Sequence, residues 1–176
     1  MSTVIQGEHV AVHELTALYV AYKRPLTIIE TGTVRMEGTD WARADGYSTV
    51  HIAEWIRRTG AAHKFYSLDL ATATCARVLE SRGLSAFVTL CEGDSAATLS
   101  GFDFPIDFAY LDSCKEPEQN LKEFQAVHAR GVRVVVIDDV YNRDEVNKGK
   151  LTIPLALSLG YTCQPAADRL AILRRG

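Results

Sequence analysis

Residues 106–115 read Ile106-Asp107-Phe108-Ala109-Tyr110-Leu111-Asp112-Ser113-Cys114-Lys115, and residues 132–139 read Val132-Arg133-Val134-Val135-Val136-Ile137-Asp138-Asp139. Each contains a short run of buried-strand character that stops on carboxylates, and the second is the most β-branched stretch of the chain. In an open parallel sheet, ligands bind at the carboxyl ends of the strands. Apolar strands that end on ionisable groups therefore aim chemistry at one rim of the fold, with Lys115 three residues beyond Asp112.

Working outward, strands and helices alternate. Leu15, Leu18, Tyr19 and Tyr22 share one face of a helix predicted over residues 8–23, which Pro25 ends. A buried strand over 26–30 follows, then the turn Thr31-Gly32-Thr33-Val34 and a polar loop over 35–45. Thr49, Ile52, Ala53 and Ile56 mark the inner face of a helix over 46–58. Strands at 63–68, 86–91, 106–111 and 132–137 are separated by helices at 71–81, after residue 95, and at 117–130, the last with Leu121, Phe124 and His128 inward. Gly83 and Gly131 stand where C-terminal caps belong. A helix near 151–159 leads to two closing strands, 161–164 and 169–173, joined by a turn at 165–168.

Strands joined through helices imply right-handed crossovers and a parallel sheet covered on both faces. The last pair is joined too tightly for a crossover and must be antiparallel. The expectation is one α/β domain over 1–176: a doubly wound, Rossmann-like, mostly parallel seven-stranded sheet with a C-terminal antiparallel pair, preceded by an N-terminal helix region over 1–24.

Composition narrows the function. Apolar residues make up 47% and charged residues 23%, the balance of an ordinary soluble globule. A net charge of −3 favours neither nucleic acid nor an anionic membrane. No apolar run reaches the ~20 residues that span a bilayer, and residues 1–10 lack a secretory pattern, so a cytoplasmic protein is expected. Cys75, Cys91, Cys114 and Cys163 fit no zinc spacing and read as reduced thiols. The expected partner is a small molecule; self-association is left open.

Three turns follow the first three strands. Glu30-Thr31-Gly32-Thr33 lets backbone amides approach a ligand closely, or is an ordinary strand-to-helix turn. It contains neither G-x-G-x-x-G nor a phosphate loop. Asp69 can accept both hydroxyl hydrogens of a ribose, or cap the helix that follows. In Glu92-Gly93-Asp94-Ser95, Asp94 can meet an adenine edge or serve as an N-cap.

With Gly46-Tyr47-Ser48-Thr49 and the stretch ending at Asp112, these turns resemble the class I S-adenosylmethionine-dependent methyltransferases from about residue 26 onward. The resemblance implies that Glu30, Thr31, Gly32 and Thr33, with Ser48, face the methionine part of the cofactor. It places Asp69 at the ribose, with Leu70 as a further cofactor contact, Gly93, Asp94 and Ser95 at adenine, and Asp112 facing the cofactor or a metal.

Leu111-Asp112-Ser113-Cys114-Lys115 with Ile137-Asp138-Asp139-Val140 is similar to the catechol O-methyltransferase group. That likeness implies a divalent cation, Mg²⁺, held by Asp112, Asp138 and Asp139, with Lys115 as the base. Adjacent strand ends ~4.8 Å apart would let three carboxylates meet one hard cation. Asp139 stands where that group has an amide. The bland readings are capping or solvated acids and a surface lysine. The expected reaction is methyl transfer to a small-molecule hydroxyl, with or without a cation; a metal-independent enzyme acting on a sugar or natural product and a non-catalytic cofactor-binding module are the rivals. His9 and His13 read as a solvated helix face, and residues 142–150 as an exposed charged loop that could border the acceptor pocket.

Overall fold

The computed structural model describes residues 9–37, 47–140, 147–166 and 169–176. In chain order the elements are α1 Val10–Tyr22, β1 Thr27–Thr31, α2 Ser48–Thr59, β2 Lys64–Asp69, α3 Ala73–Ser81, β3 Thr89–Glu92, α4 Ser95–Ser100, β4 Phe108–Leu111, α5 Pro117–Ala129, β5 Val134–Ile137, α6 Gly149–Ser158, β6 Tyr161–Ala166 and β7 Leu170–Arg175. All seven strands form one sheet in the order β3-β2-β1-β4-β5-β7-β6. The first five are parallel, and β7 runs antiparallel to both of its neighbours. This is the expected Rossmann-like architecture. The winding reverses between β1 and β4, so the switch-point crevice opens there.

The strands lack polar alternation because consecutive residues serve opposite cores. Ile28, Phe108, Val134 and Val136 pack with Leu15 of α1 and Ile52 of α2 on one face. Ile29, Ala109, Val135 and Ile137 pack with Phe124 and Val127 of α5 on the other. A third cluster joins Val50 and Ala53 of α2 to Val78 and Leu79 of α3. Helix α1 is fastened across the sheet. Glu14 accepts two hydrogen bonds from Arg174 of β7, at 2.7 and 2.9 Å, and the Trp55 indole donates to Thr16 Oγ1.

The differences from expectation are local. Residues 85–87 form a 3-10 turn closed by Phe87 N donating to Leu84 O, so the third strand starts only at Thr89. Strand β6 runs through Pro165 and Ala166, which were assigned to the turn; at a sheet edge the missing proline N–H leaves no second neighbour unpaired. The inner face of α5 is Asn120, Glu123, Phe124 and Val127, whereas Leu121 and His128 are only half-buried. The parts of the expected loops, helix start and turn that fall on 38–46, 141–146 and 167–168 lie outside the described residues. No described helix is long and apolar enough to cross a membrane.

Candidate functional site

At the end of β1, Glu30 is fully buried and accepts hydrogen bonds from Ser48 Oγ at 2.5 Å, Thr49 Oγ1 at 2.6 Å and Ser67 Oγ at 2.6 Å. Burial pushes its carboxyl up to about 7 even though the three hydroxyls favour the ionised form. Glu30 and Ser48 thus pin the first turn to α2, with both side chains buried among the described residues. Gly32 has φ +81°, and a Cβ there would lie 2.3 Å from the Asp112 carbonyl oxygen. Only glycine lets the β1 turn press this closely on the end of β4. Thr31 Oγ1 donates to Glu123 and accepts from Asp112 N, which ties the same two strand ends together.

Beside this turn lies a cleft of about 600 Å³, lined among others by Arg35, Asp69, Leu70, Asp94, Ser95 and Ser113. Asp69 Oδ2 accepts from Thr33 N at 3.0 Å and pairs with Arg35 Nε at 3.5 Å. Leu70 is 76% exposed, an apolar surface next to that carboxylate. Gly93 N donates to Asp69 O and joins the second and third turns. Asp94 caps α4 by accepting from Ala97 N at 2.7 Å, while still lining the cleft. Ser95 turns inward and donates to Glu123, a buried α5 carboxyl that burial pushes up. Arg35 reaches from Asp69 to the Ser113 carbonyl at 2.6 Å and so links the turns after β2 and β4.

On the other side of β4 the three aspartates do converge, but on side chains of this chain. Lys148, 3% exposed at the N-terminus of α6, donates to Asp112 Oδ1 and stands 3.3 Å from Asp139 Oδ2. Arg169 Nε and Nη2 each lie 2.8 Å from an Asp138 oxygen, and Nη1 lies 3.6 Å from Asp139. Asp138 also accepts from Tyr110 Oη at 3.0 Å and from Asp139 N at 2.7 Å. Asp139 adopts φ +54°, a left-handed conformation that short polar side chains tolerate.

The expected Mg²⁺ site therefore does not fit. Asp138 already receives four donors, and an ammonium stands between Asp112 and Asp139. Among the described residues, no group of three or more His, Cys, Asp or Glu is arranged to hold a metal. Lys115 is exposed; neither it nor Asp112 is among the residues lining the cleft, whose wall on this side is Ser113 and Cys114.

Burial pushes the Asp112 carboxyl up to about 6; Lys148 pulls it down, and Asp138 and Asp139 add to the rise. Burial works against the Lys148 charge as well, yet the aspartates outweigh it and hold the ammonium above its usual range. The second oxygen of Asp112 has no hydrogen-bond partner among the described residues. Close by, His9 caps α1, stacks on His51 at 5.1 Å and tilts against Tyr110 at 5.6 Å. Burial, with His51 and Arg169 nearby, holds His9 down at about 4. His9 thus packs inward, contrary to its reading as a solvated helix face; His13 pairs with Glu14 at 3.2 Å.

Residues 43–140 match a family described as a methyltransferase domain, a span that begins before α2 and ends just past the two aspartates of β5. The chain is a class I S-adenosylmethionine-dependent methyltransferase. Solved methyltransferases share its fold. The SAH-bound methyltransferase PaMTH1 of Podospora anserina is similar at 18% identity and a TM-score of 0.66, over 100% of this chain and 80% of that one. An rRNA methylase from Streptococcus thermophilus gives 16% and 0.59 over 98% and 99%. The O-methyltransferase NovP gives 12% and 0.65 over 93% and 77%. The comparison with curated proteins gave no match.

The cleft's volume falls in the range of small-molecule sites, and its walls come from the turns after β1, β2, β3 and β4, with Arg35, Asp69 and Leu70, Asp94 and Ser113 in turn. Sequence reading missed Lys148, Arg169, Glu123 and Arg35. Lys148 belongs to a charged run that reads as a loop. Glu123 has a detectable signal, since Asn120, Glu123, Phe124 and Val127 repeat at helical spacing.

Proposed function

We propose that this methyltransferase methylates a hydroxyl of a small molecule and that Asp112 receives the hydroxyl proton. The observation that carries the reading is Asp112 itself: a largely buried carboxylate beside the Gly32 turn, with one oxygen held by Lys148 and the other without a hydrogen-bond partner among the described residues. Asp69 is suited to the ribose hydroxyls, Leu70 and Asp94 to the adenine side, and the Gly32–Thr33 backbone to the methionine end. When bound, S-adenosylmethionine supplies a methyl group already activated by a sulfonium.

The protein's part is to align the acceptor and remove a proton. Lys148 fixes one Asp112 oxygen and leaves the other to accept a hydrogen bond from the acceptor hydroxyl. Bound cofactor would supply the methyl group, its sulfur keeping the electron pair of the broken carbon–sulfur bond, and Asp112 would take the proton released from the acceptor hydroxyl. The name of NovP supports oxygen as the acceptor, and the acidic net charge disfavours RNA, although one structural neighbour is an rRNA methylase. The filled aspartate cluster favours the metal-independent form of the reaction.

A screen of hydroxylated acceptors with labelled cofactor, with and without EDTA, tests the reading. Transfer unchanged by EDTA is expected. Asp112→Asn should lower kcat by about 10²- to 10⁴-fold, the usual worth of a general base, while S-adenosylhomocysteine binding by calorimetry changes little. Full activity in Asp112→Asn would sink the proton-acceptor role, and tight cofactor binding with no transfer to any acceptor would favour a binding module.

A further inference from the structure

We infer that the Lys148 ammonium is a built-in cation: it takes the place of a divalent ion between Asp112 and Asp139 and acts as the positioning residue for Asp112. Lys148 is 3% exposed, and its ammonium contacts one oxygen of each of those two aspartates. Asp138 is separately neutralised by Arg169 and satisfied by Tyr110 and the Asp139 amide. The cluster thus has two cations: Arg169 chiefly on Asp138, reaching one oxygen of Asp139 at 3.6 Å, and Lys148 on Asp112 and the other oxygen of Asp139.

A lysine here does part of what a metal ion would. It offsets two buried charges and fixes one carboxylate oxygen, but it is a donor with a single point of charge and brings no open coordination positions. An ion held by one or two carboxylates and several waters is an ordinary Mg²⁺ or Mn²⁺ arrangement. Cutting back Lys148 leaves those two carboxylates facing each other across a space where such an ion can sit. The inference rests on reading Asp112 as the acid that meets the acceptor.

The test is a Mn²⁺ titration followed by electron paramagnetic resonance, with the wild type, Lys148→Ala and the double variant Lys148→Ala/Asp139→Asn. The wild type is expected to leave Mn²⁺ free. Lys148→Ala should bind one equivalent, at least about tenfold more tightly than the wild type, a difference read directly as a ratio of dissociation constants. The double variant should lose that gain. If Lys148→Ala does not fold by itself, refolding it with Mn²⁺ should recover cooperative unfolding and S-adenosylhomocysteine binding. The inference is overturned if the wild type binds Mn²⁺ in a manner abolished by Asp139→Asn. It is equally overturned if folded Lys148→Ala gains no binding, or if Mn²⁺ fails to recover the unfolded variant. None of these readouts uses an acceptor. A failed titration leaves proton transfer to Asp112 standing, and an active Asp112→Asn leaves the ion result standing.

Discussion

Glu30 illustrates how a single carboxyl can couple stability to pH. Its ionisation moves from 4.5 when unfolded to about 7 in the fold, chiefly because it is fully buried. For an acid raised in this way, the folded state holds the extra proton between those values. The stabilisation is therefore complete below the lower value and is lost as pH rises through the upper one. Relative to Glu30→Gln, the wild type should lose up to roughly 3 kcal/mol between pH 4.5 and pH 8. Urea unfolding of both proteins at the two pH values measures the difference, and other titrating groups cancel in it. Asp112 gives a kinetic counterpart. As the proton acceptor it must be ionised, so kcat/KM should climb with pH around 6 and level off above. Because Asp112 titrates together with its neighbours, that midpoint belongs to the cluster. At this scale the sequence shows which acids stand at strand ends, since a hydrophobic run stopping on Asp is a local pattern. It does not show what faces them: Lys148 is 36 residues from Asp112, and Arg169 is 31 residues from Asp138.

Among the elements, the β1 turn is the most constrained. Gly32→Ala would combine a left-handed backbone with a contact at 2.3 Å to the Asp112 carbonyl, so the ends of β1 and β4 would have to part. A loss of about 3 kcal/mol is expected from strain and displaced packing, visible as a lower Tm and weaker S-adenosylhomocysteine binding. Strands and helices were legible wherever a long periodic signal existed, as in α2, whose inner residues Thr49, Ile52, Ala53 and Ile56 are all buried. The third strand was misplaced by its start because Ala86, Phe87 and Val88 are apolar enough to read as strand while the 3-10 turn takes Ser85–Phe87. Helix α5 misled for the opposite reason. Its buried face includes Asn120 and Glu123, polar residues that a hydrophobicity pattern places outside; Asn120 is satisfied by Thr152 of α6 at 2.7 Å.

For the whole molecule, Glu14 and Arg174 join parts of the sequence 160 residues apart. Glu14 is 4% exposed. The Arg174 side chain is 36% exposed, so solvent weakens its half of the pair. Arg174→Ala should still cost about 1–2 kcal/mol, more than a fully exposed pair, because it strands a buried carboxylate. Thermal unfolding monitored through far-ultraviolet circular dichroism checks this, and Glu14→Gln/Arg174→Met should recover part of the loss.

The sheet order has a consequence for the way the chain is made. Strand β5, four buried apolar residues, gains its second neighbour only from β7, which is synthesised after the other six strands of the sheet. Until then the Val134–Ile137 edge is bare on one side, and Asp138 lacks Arg169. A nascent chain stalled short of residue 170 would present an apolar, unpaired strand edge, the kind of surface that recruits chaperones or pairs with another copy. Pairing of β7 with β5 therefore ends the period of vulnerability and delivers Arg169 to Asp138 in the same event.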